Sequence, residues 1–282
     1  MIRLIQSALL ASMCVLVAPA FAQATYPTPE AAADALVDGI ARSDDDAVRA
    51  ALGPQYKKFV PGDAVKAGDV TRFLEAWAKS HRIVRKGDAE AHLEVGTNGW
   101  TLPIPIEKSA SGWRFDVTRA PEEMRWRRIG RNELDVIQVV QALGDAQQDY
   151  MKLNKSYAQK ILSTPGKRDG LYWPTREGEP DSPLGPIADG VKPGDAYHGY
   201  RYRILTAQGA AAPGGAISYV KDGKMTGGYA FVAWPARYGD TGVMTFIVAG
   251  DGVVYQKDLG PETDRIARAM RAYDPAGWTR AN

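Results

Sequence analysis

The spacing of apolar residues changes along the chain, and each change marks an element. Ala32, Ala35, Leu36 and Ile40 fall at helical spacing, as in a helix with one buried face. Thr28-Pro29-Glu30 opens that helix with a hydroxyl cap, a proline where a helix tolerates one, and an acid at the positive end of the dipole. Ser43-Asp44-Asp45-Asp46 starts a second short helix that Gly53-Pro54 stops. These consecutive acids lack the alternating ligand spacing of a calcium loop and read as first-turn acids. A further helix carries Val70, Phe73, Leu74 and Trp77 on one face. The period then drops to two, first through Ala89, Ala91, Leu93 and Val95, next through Leu102, Ile104 and Ile106, and last through Trp113, Phe115 and Val117. Asn98-Gly99 and Ser109–Gly112 supply the turns. Helices followed by an antiparallel meander predict an α+β module over residues 23–126.

Residues 127–282 predict a second α+β module. It is preceded by a charged connector, Glu122 to Arg131, in which Arg125, Arg127, Arg128 and Arg131 sit among Glu122, Glu123, Glu133 and Asp135. That mixture reads as a local ion-pair network rather than an anion site. Asn132 is expected to cap a long amphipathic helix. Val136, Val140, Leu143, Tyr150 and Leu153 form its apolar face, and Gln138, Gln141, Asp145, Gln148 and Lys152 the polar one. Thr164 to Asp195 then shows no period and is rich in glycine and proline. A loop of that length in a compact domain is either functional or disordered, and Tyr172, Trp173 and Leu184, which need something to pack on, argue against disorder. Alternation returns at Tyr200, Tyr202 and Ile204, at Ala230 to Trp234, at Met244, Phe246 and Val248, and at Val253 to Tyr255. A final helix lies near Thr263 to Tyr273. The expected picture is one helix against an antiparallel sheet.

Composition narrows the class of function. In 282 residues, 35 Lys+Arg face 33 Asp+Glu, so no basic excess exists for gripping nucleic acid. One Cys and three His leave little material for a metal site, and no metal or other cofactor is expected. Arg3, the apolar run Leu4 to Val17 and Ala20-Phe21-Ala22 make the three-part layout of a secretory signal peptide over residues 1–22, cut after Ala22. The run is shorter than a spanning helix, and Met13 before Cys14 departs from a lipidation site. Cleavage removes the only cysteine and leaves a net charge of +1. The expected product is not membrane-spanning and resides in the periplasm or outside the cell.

Two folds are suggested by resemblance. Thr28-Pro29-Glu30-Ala31-Ala32 and Gly112-Trp113-Arg114-Phe115-Asp116-Val117 resemble the nuclear transport factor 2-like (cystatin-like) superfamily. That resemblance implies helices packed into a curved sheet around a pocket, with Trp77, His81, His92 and Trp100 as pocket candidates. His92 lies between Ala91 and Leu93 and should point away from them, into solvent. The segments Arg127–Glu133, Ser163–Lys167, Asp169–Pro174, Ser182–Pro186, Tyr197–Tyr200, Ala212–Ala216 and Tyr255–Pro261 together resemble DUF2950, a bacterial exported family whose name denotes unknown function. Ala146–Tyr150, Gly199–Tyr202, Ala230–Pro235, Thr241–Phe246 and Asp251–Tyr255 are similar to the globular head of type IV pilins and pseudopilins. Here, however, the helix is internal and amphipathic, unlike the apolar N-terminal helix through which pilins assemble.

No zincin helix, P-loop, nucleophile elbow or dinucleotide fingerprint is present. The candidate ligand- or partner-binding residues are those of the long loop and its continuation: Asp169, Tyr172, Trp173, Glu177, Glu179, Asp181, His198 and Tyr200. The acids among them could serve a glycoside hydrolase if they converged. A triad would have to join His198 to Ser163 or Ser182 and to Asp169, and the spacing gives that no support. The favoured function is an exported envelope binding or interaction protein, not an enzyme, whose partner is an envelope protein, a glycan or a small ligand. The rival readings are an envelope hydrolase using the acid-rich loop and a pilus-associated minor component.

Overall fold

A computed structural model describes residues 22–60, 65–175, 178 and 180–281. Residues 1–21 of the expected leader and the loop acids Glu177 and Glu179 lie outside the described residues. The class is α+β. The chain divides into two compact units, one through Glu123 and one from Met124.

The first unit begins with α1 (Pro29–Ala41), α2 (Asp45–Leu52), the single turn α3 (Tyr56–Phe59) and α4 (Ala67–Lys79). Its caps follow from the sequence: Thr28 accepts from the Ala31 N–H at 3.1 Å, and Asp44 accepts from Asp46 and Ala47 at 3.1 and 3.0 Å. Five antiparallel strands follow: β1 (His81–Lys86), β2 (Glu90–Val95), β3 (Trp100–Thr101), β4 (Ile106–Ser109) and β5 (Gly112–Phe115). Their order is β1-β2-β4-β5, with β3 pairing to β2. The strand expected through Leu102, Ile104 and Ile106 is interrupted, because Pro103 and Pro105 cannot donate to a ladder. β1 escaped the sequence pattern because it is almost wholly exposed and carries no buried alternation. Ala32, Leu36, Leu93, Ile106, Trp113 and Phe115 form the centre of one core. The chain enters this unit already tied down: Gln23 Nε2 donates to the carbonyls of Ala51 at 3.0 Å and Phe115 at 2.6 Å.

The long helix α5 runs Ala120–Asn154, 35 residues, and not from Asn132. The charged stretch expected to be a connector is its first third. Glu, Arg and Met are good helix formers, Pro121 sits in the first turn where its missing N–H costs nothing, and Glu122 and Glu123 suit the dipole. Asn132 is therefore no cap, and its side chain donates to the Thr241 carbonyl at 2.8 Å instead. Nor do the acids of this stretch all serve its arginines. Arg128 pairs with Asp240, while Glu133 accepts from the N–H groups of Val243 at 2.8 Å and Met244 at 3.0 Å. Val136, Val140, Leu143, Ala146 and Tyr150 are buried, but Leu153, expected on the same face, is 61% exposed in the last turn.

The helix covers one face of a five-stranded antiparallel sheet, ordered β15 (Thr279–Arg280), β13 (Val254–Asp258), β12 (Met244–Ala249), β11 (Ala230–Pro235) and β6 (Tyr200–Leu205). Two smaller sheets accompany it: β7 (Ala207–Gln208), antiparallel to β8 (Ile217–Ser218) and parallel to β14 (Ala272–Tyr273), and the hairpin of β9 (Val220–Lys221) with β10 (Lys224–Met225). The final helix α6 (Thr263–Ala269) covers β11 from the opposite face, so it ends earlier than expected and gives way to β14 (Ala272–Tyr273). Two covers explain why every residue of β11 is buried. They also set the roles on β6: Tyr200 and Ile204 join the core, while Arg203 turns to α6 and donates to the carbonyls of Ala267, Arg268 and Met270. A guanidinium across the carbonyls at its C-terminus neutralises the negative end of the helix.

Candidate functional site

The long loop of the second unit is folded down rather than disordered. A parallel bridge joins Leu162 to Tyr172, and Leu171 donates its N–H to Lys160 at 3.1 Å and accepts from Leu184 at 3.1 Å. Leu171 and Trp173 are buried. This close return depends on Gly170, where a Cβ would lie 2.8 Å from the Leu162 carbonyl carbon and the Ser163 nitrogen. Gln147 is fully buried and clamps the Ala158 peptide at 2.9 and 2.8 Å, fixing where the loop begins.

Of the acids singled out in the sequence, Asp169 is committed to this framework. Its carboxylate accepts from Lys160 Nζ at 2.7 Å, from the Thr164 N–H at 2.8 Å and from Thr164 Oγ1 at 2.9 Å. The Lys160 ammonium and the Thr164 donors hold its pKa well below the ordinary carboxylate range. A carboxylate so occupied is a turn-forming group, poorly suited to proton transfer. Asp181 is exposed. Tyr172 donates to Asp189, which pushes its phenol pKa up, and the Trp173 indole donates to the Pro180 carbonyl at 3.2 Å.

His198 and Tyr200 lie elsewhere, against α5. His198 has a left-handed backbone, φ 48°, and its Nδ1 sits 2.8 Å from Asp135 Oδ2. Tyr200 is fully buried, its hydroxyl donating to the Met244 carbonyl at 2.9 Å. Burial, with Glu133 nearby, raises its pKa strongly. Of the serines considered beside His198, Ser163 Oγ accepts from the Gly170 N–H at 3.0 Å, and Ser182 Oγ is buried with no hydrogen-bond partner among the described residues. The structure brings Asp169, Tyr172 and Trp173 onto one loop body and does not bring His198 or Tyr200 to them.

What the loop body encloses is a cavity of about 540 Å³, within the usual ligand-pocket range. Val139, Ala142 and Leu143 of α5 form one wall and Ile161, Leu184 and Val191 of the loop another. Tyr202 and Ile204 of β6 add to these walls, and Lys160, Lys192, Asp195 and Arg203 bring charge to the lining. Tyr202 keeps its hydroxyl on the Tyr197 carbonyl at 3.3 Å, and burial raises its pKa. A second cavity of about 460 Å³ adjoins it, sharing Leu162 to Pro165, Val191 and Pro193, and is lined further by Gly166, Lys167, Arg168, Tyr172 and Trp173. The Arg168 guanidinium lies over the Trp173 ring, 5.7 Å from its centroid. Sequence reasoning missed the α5 and Val191 walls. The available signal was Val139 and Ala142, which widen the apolar stripe of α5 beyond what the sheet alone needs.

In the first unit, the four pocket candidates part into different groups. Trp77 and His81 stack on each other, with ring centroids 3.7 Å apart, and Trp100 is 42% exposed with its ring against Phe73. His92 is not in solvent. Its side chain is 14% exposed and bonds Glu90 Oε1 at 2.8 Å, on the sheet face opposite the core. Arg119 donates to Glu90 at 2.7 Å and to Glu107 at 3.2 Å, so this face carries a small ionic layer. The pKa of Glu90 is lowered to about 2, chiefly by Arg119 and then by His92.

Among the described residues, no group of three or more His, Cys, Asp or Glu side chains is placed to hold a metal ion, and no helix is long and apolar enough to cross a membrane. No curated protein and no solved structure matches the chain. One family does, over residues 23–281, a span that includes the loop walling both cavities. The chain therefore belongs to DUF2950, a family of proteins of unknown function.

Proposed function

We propose that the protein is exported to the cell envelope and acts there as a binding protein, taking a small ligand in the groove of its second unit. One observation carries this reading: Asp169, an acid of the long loop, is spent on holding the loop, while the loop itself walls an apolar cavity of about 540 Å³. Aliphatic walls favour a ligand with apolar surface over a glycan, which wants planar polar and aromatic contacts. Export is supported by the layout of residues 1–22 and by a family match that begins at Gln23, the residue after the expected cut.

The test begins with the full chain expressed in a Gram-negative host. The expected result is an intact mass starting at Gln23 in the periplasmic fraction; an uncut chain in the cytosol overturns export. Native mass spectrometry of the purified product should then show small-molecule adducts that Val191→Trp, which fills the groove, loses. Bare masses for both proteins overturn the binding reading.

A further inference from the structure

The two adjoining cavities differ in chemistry. The larger is walled mainly by Val139, Ala142, Ile161, Leu184, Val191 and Ile204. The smaller is edged by Lys167, Arg168 and the rings of Tyr172 and Trp173, with no acid in its lining among the described residues. Across both linings the basic side chains are Lys160, Lys167, Arg168, Lys192 and Arg203, and the one described acid is Asp195. Asp195 already accepts the Lys192 N–H at 3.0 Å. Lys160 is held by Asp169 and Arg203 by the end of α6. Lys167 and Lys192 form no ion pair with a described residue. These two lysines thus flank the wall the cavities share, Lys167 two residues beyond Pro165 on the smaller side and Lys192 between Val191 and Pro193 on the larger.

We infer that the two cavities form one bipartite site for an anionic amphiphile, its alkyl portion in the larger lobe and its acidic head where the lobes adjoin, between Lys167 of the smaller and Lys192 of the larger. This rests on the binding reading above and names its ligand class. An aliphatic lobe accepts a chain with no polar demand of its own, and transfer of that chain from water supplies most of the affinity. Free lysines at the mouth choose the sign of the head without burying a charge. A neutral amphiphile of the same length should therefore bind more weakly, and a cationic one scarcely at all.

The experiment titrates the mature full chain calorimetrically with dodecanoate, dodecanol and dodecyltrimethylammonium, each below its micellar concentration. The expected order places dodecanoate about three- to tenfold tighter than dodecanol, the gain available from partly exposed charge pairs, with the cation weakest. Lys167→Gln combined with Lys192→Gln should erase the preference for dodecanoate and leave dodecanol unchanged. Val191→Trp should weaken all probes; Ala142→Trp gives an independent block, with thermal midpoints checked for both. Equal binding of the three heads, or a preference that survives the double lysine change, overturns the charge assignment while leaving a binding groove. Failure of every probe on a protein that still carries envelope adducts overturns the amphiphile and not the binding reading. Displacement of those adducts by a short acidic peptide, and not by dodecanoate, likewise overturns it.

Discussion

Strands β2 and β11 answer the problem of burial in opposite ways. β2 alternates, with Ala91, Leu93 and Val95 buried and Glu90, His92 and Glu94 on the other face, which is capped only by ionic contacts. β11 is buried at every position because α5 covers one face and α6 the other. The lesson is that alternation reports a sheet with one covered face, and that its loss announces a second cover. In the second unit that cover needs polar anchors, since the residues of β6 facing α6 are Arg201 and Arg203.

The comparison breaks first, if it breaks, at the cores. Phe231→Ala on β11 should cost about 3–5 kcal/mol and exceed Leu93→Ala on β2, at about 2–4 kcal/mol, when each unit's denaturant transition is followed. Equal costs would show that the double cover does not tighten packing. Next comes the anchor beneath the second cover: Arg203→Met should cost about 1.5–3 kcal/mol by removing charge-assisted hydrogen bonds to the carbonyls of Ala267, Arg268 and Met270, with amide exchange accelerated in α6. Unchanged exchange there would deny the capping role.

The smallest effect belongs to the ionic layer of the first unit. The folded pKa of Glu90, about 2, lies below its ordinary 4.5, so its contribution is fully present above pH 4.5 and is lost as pH falls toward 2. Its size should be roughly 1–2 kcal/mol after solvent screening of a partly open cluster. Glu90→Gln should flatten the stability of the first unit across that window; an unaltered acid limb assigns the dependence to other carboxylates.

Local signals carried well from sequence to structure. Thr28 and Asp44 cap the helices they were expected to cap, and the α5 residues Val136 to Tyr150 pack as their spacing implied. The failures have physical causes. The stretch Glu122 to Arg131 reads as a connector because charge hides helix propensity, and β1 leaves no apolar trace because its edge is exposed. Of the candidate site, the loop was legible from Tyr172, Trp173 and its glycines and prolines. Its cavity was not, since that depends on Val139, Ala142 and Ile204, far apart in the chain, meeting through tertiary packing. The acids misled because a carboxylate that organises a turn, such as Asp169, has the same composition as one that performs chemistry.

Gln23 has a consequence for the order of events in the cell. Its side chain is locked onto the Ala51 and Phe115 carbonyls, one residue beyond the proposed cut, and the Ala24 N–H is held by Ala50 at 2.8 Å. A processing protease needs an extended, accessible stretch on both sides of the bond it breaks. Once the first unit closes, that stretch no longer exists on the downstream side. On the export reading, maturation is therefore a race that the peptidase must win before folding, and a chain that folds with its leader attached stays an uncut precursor.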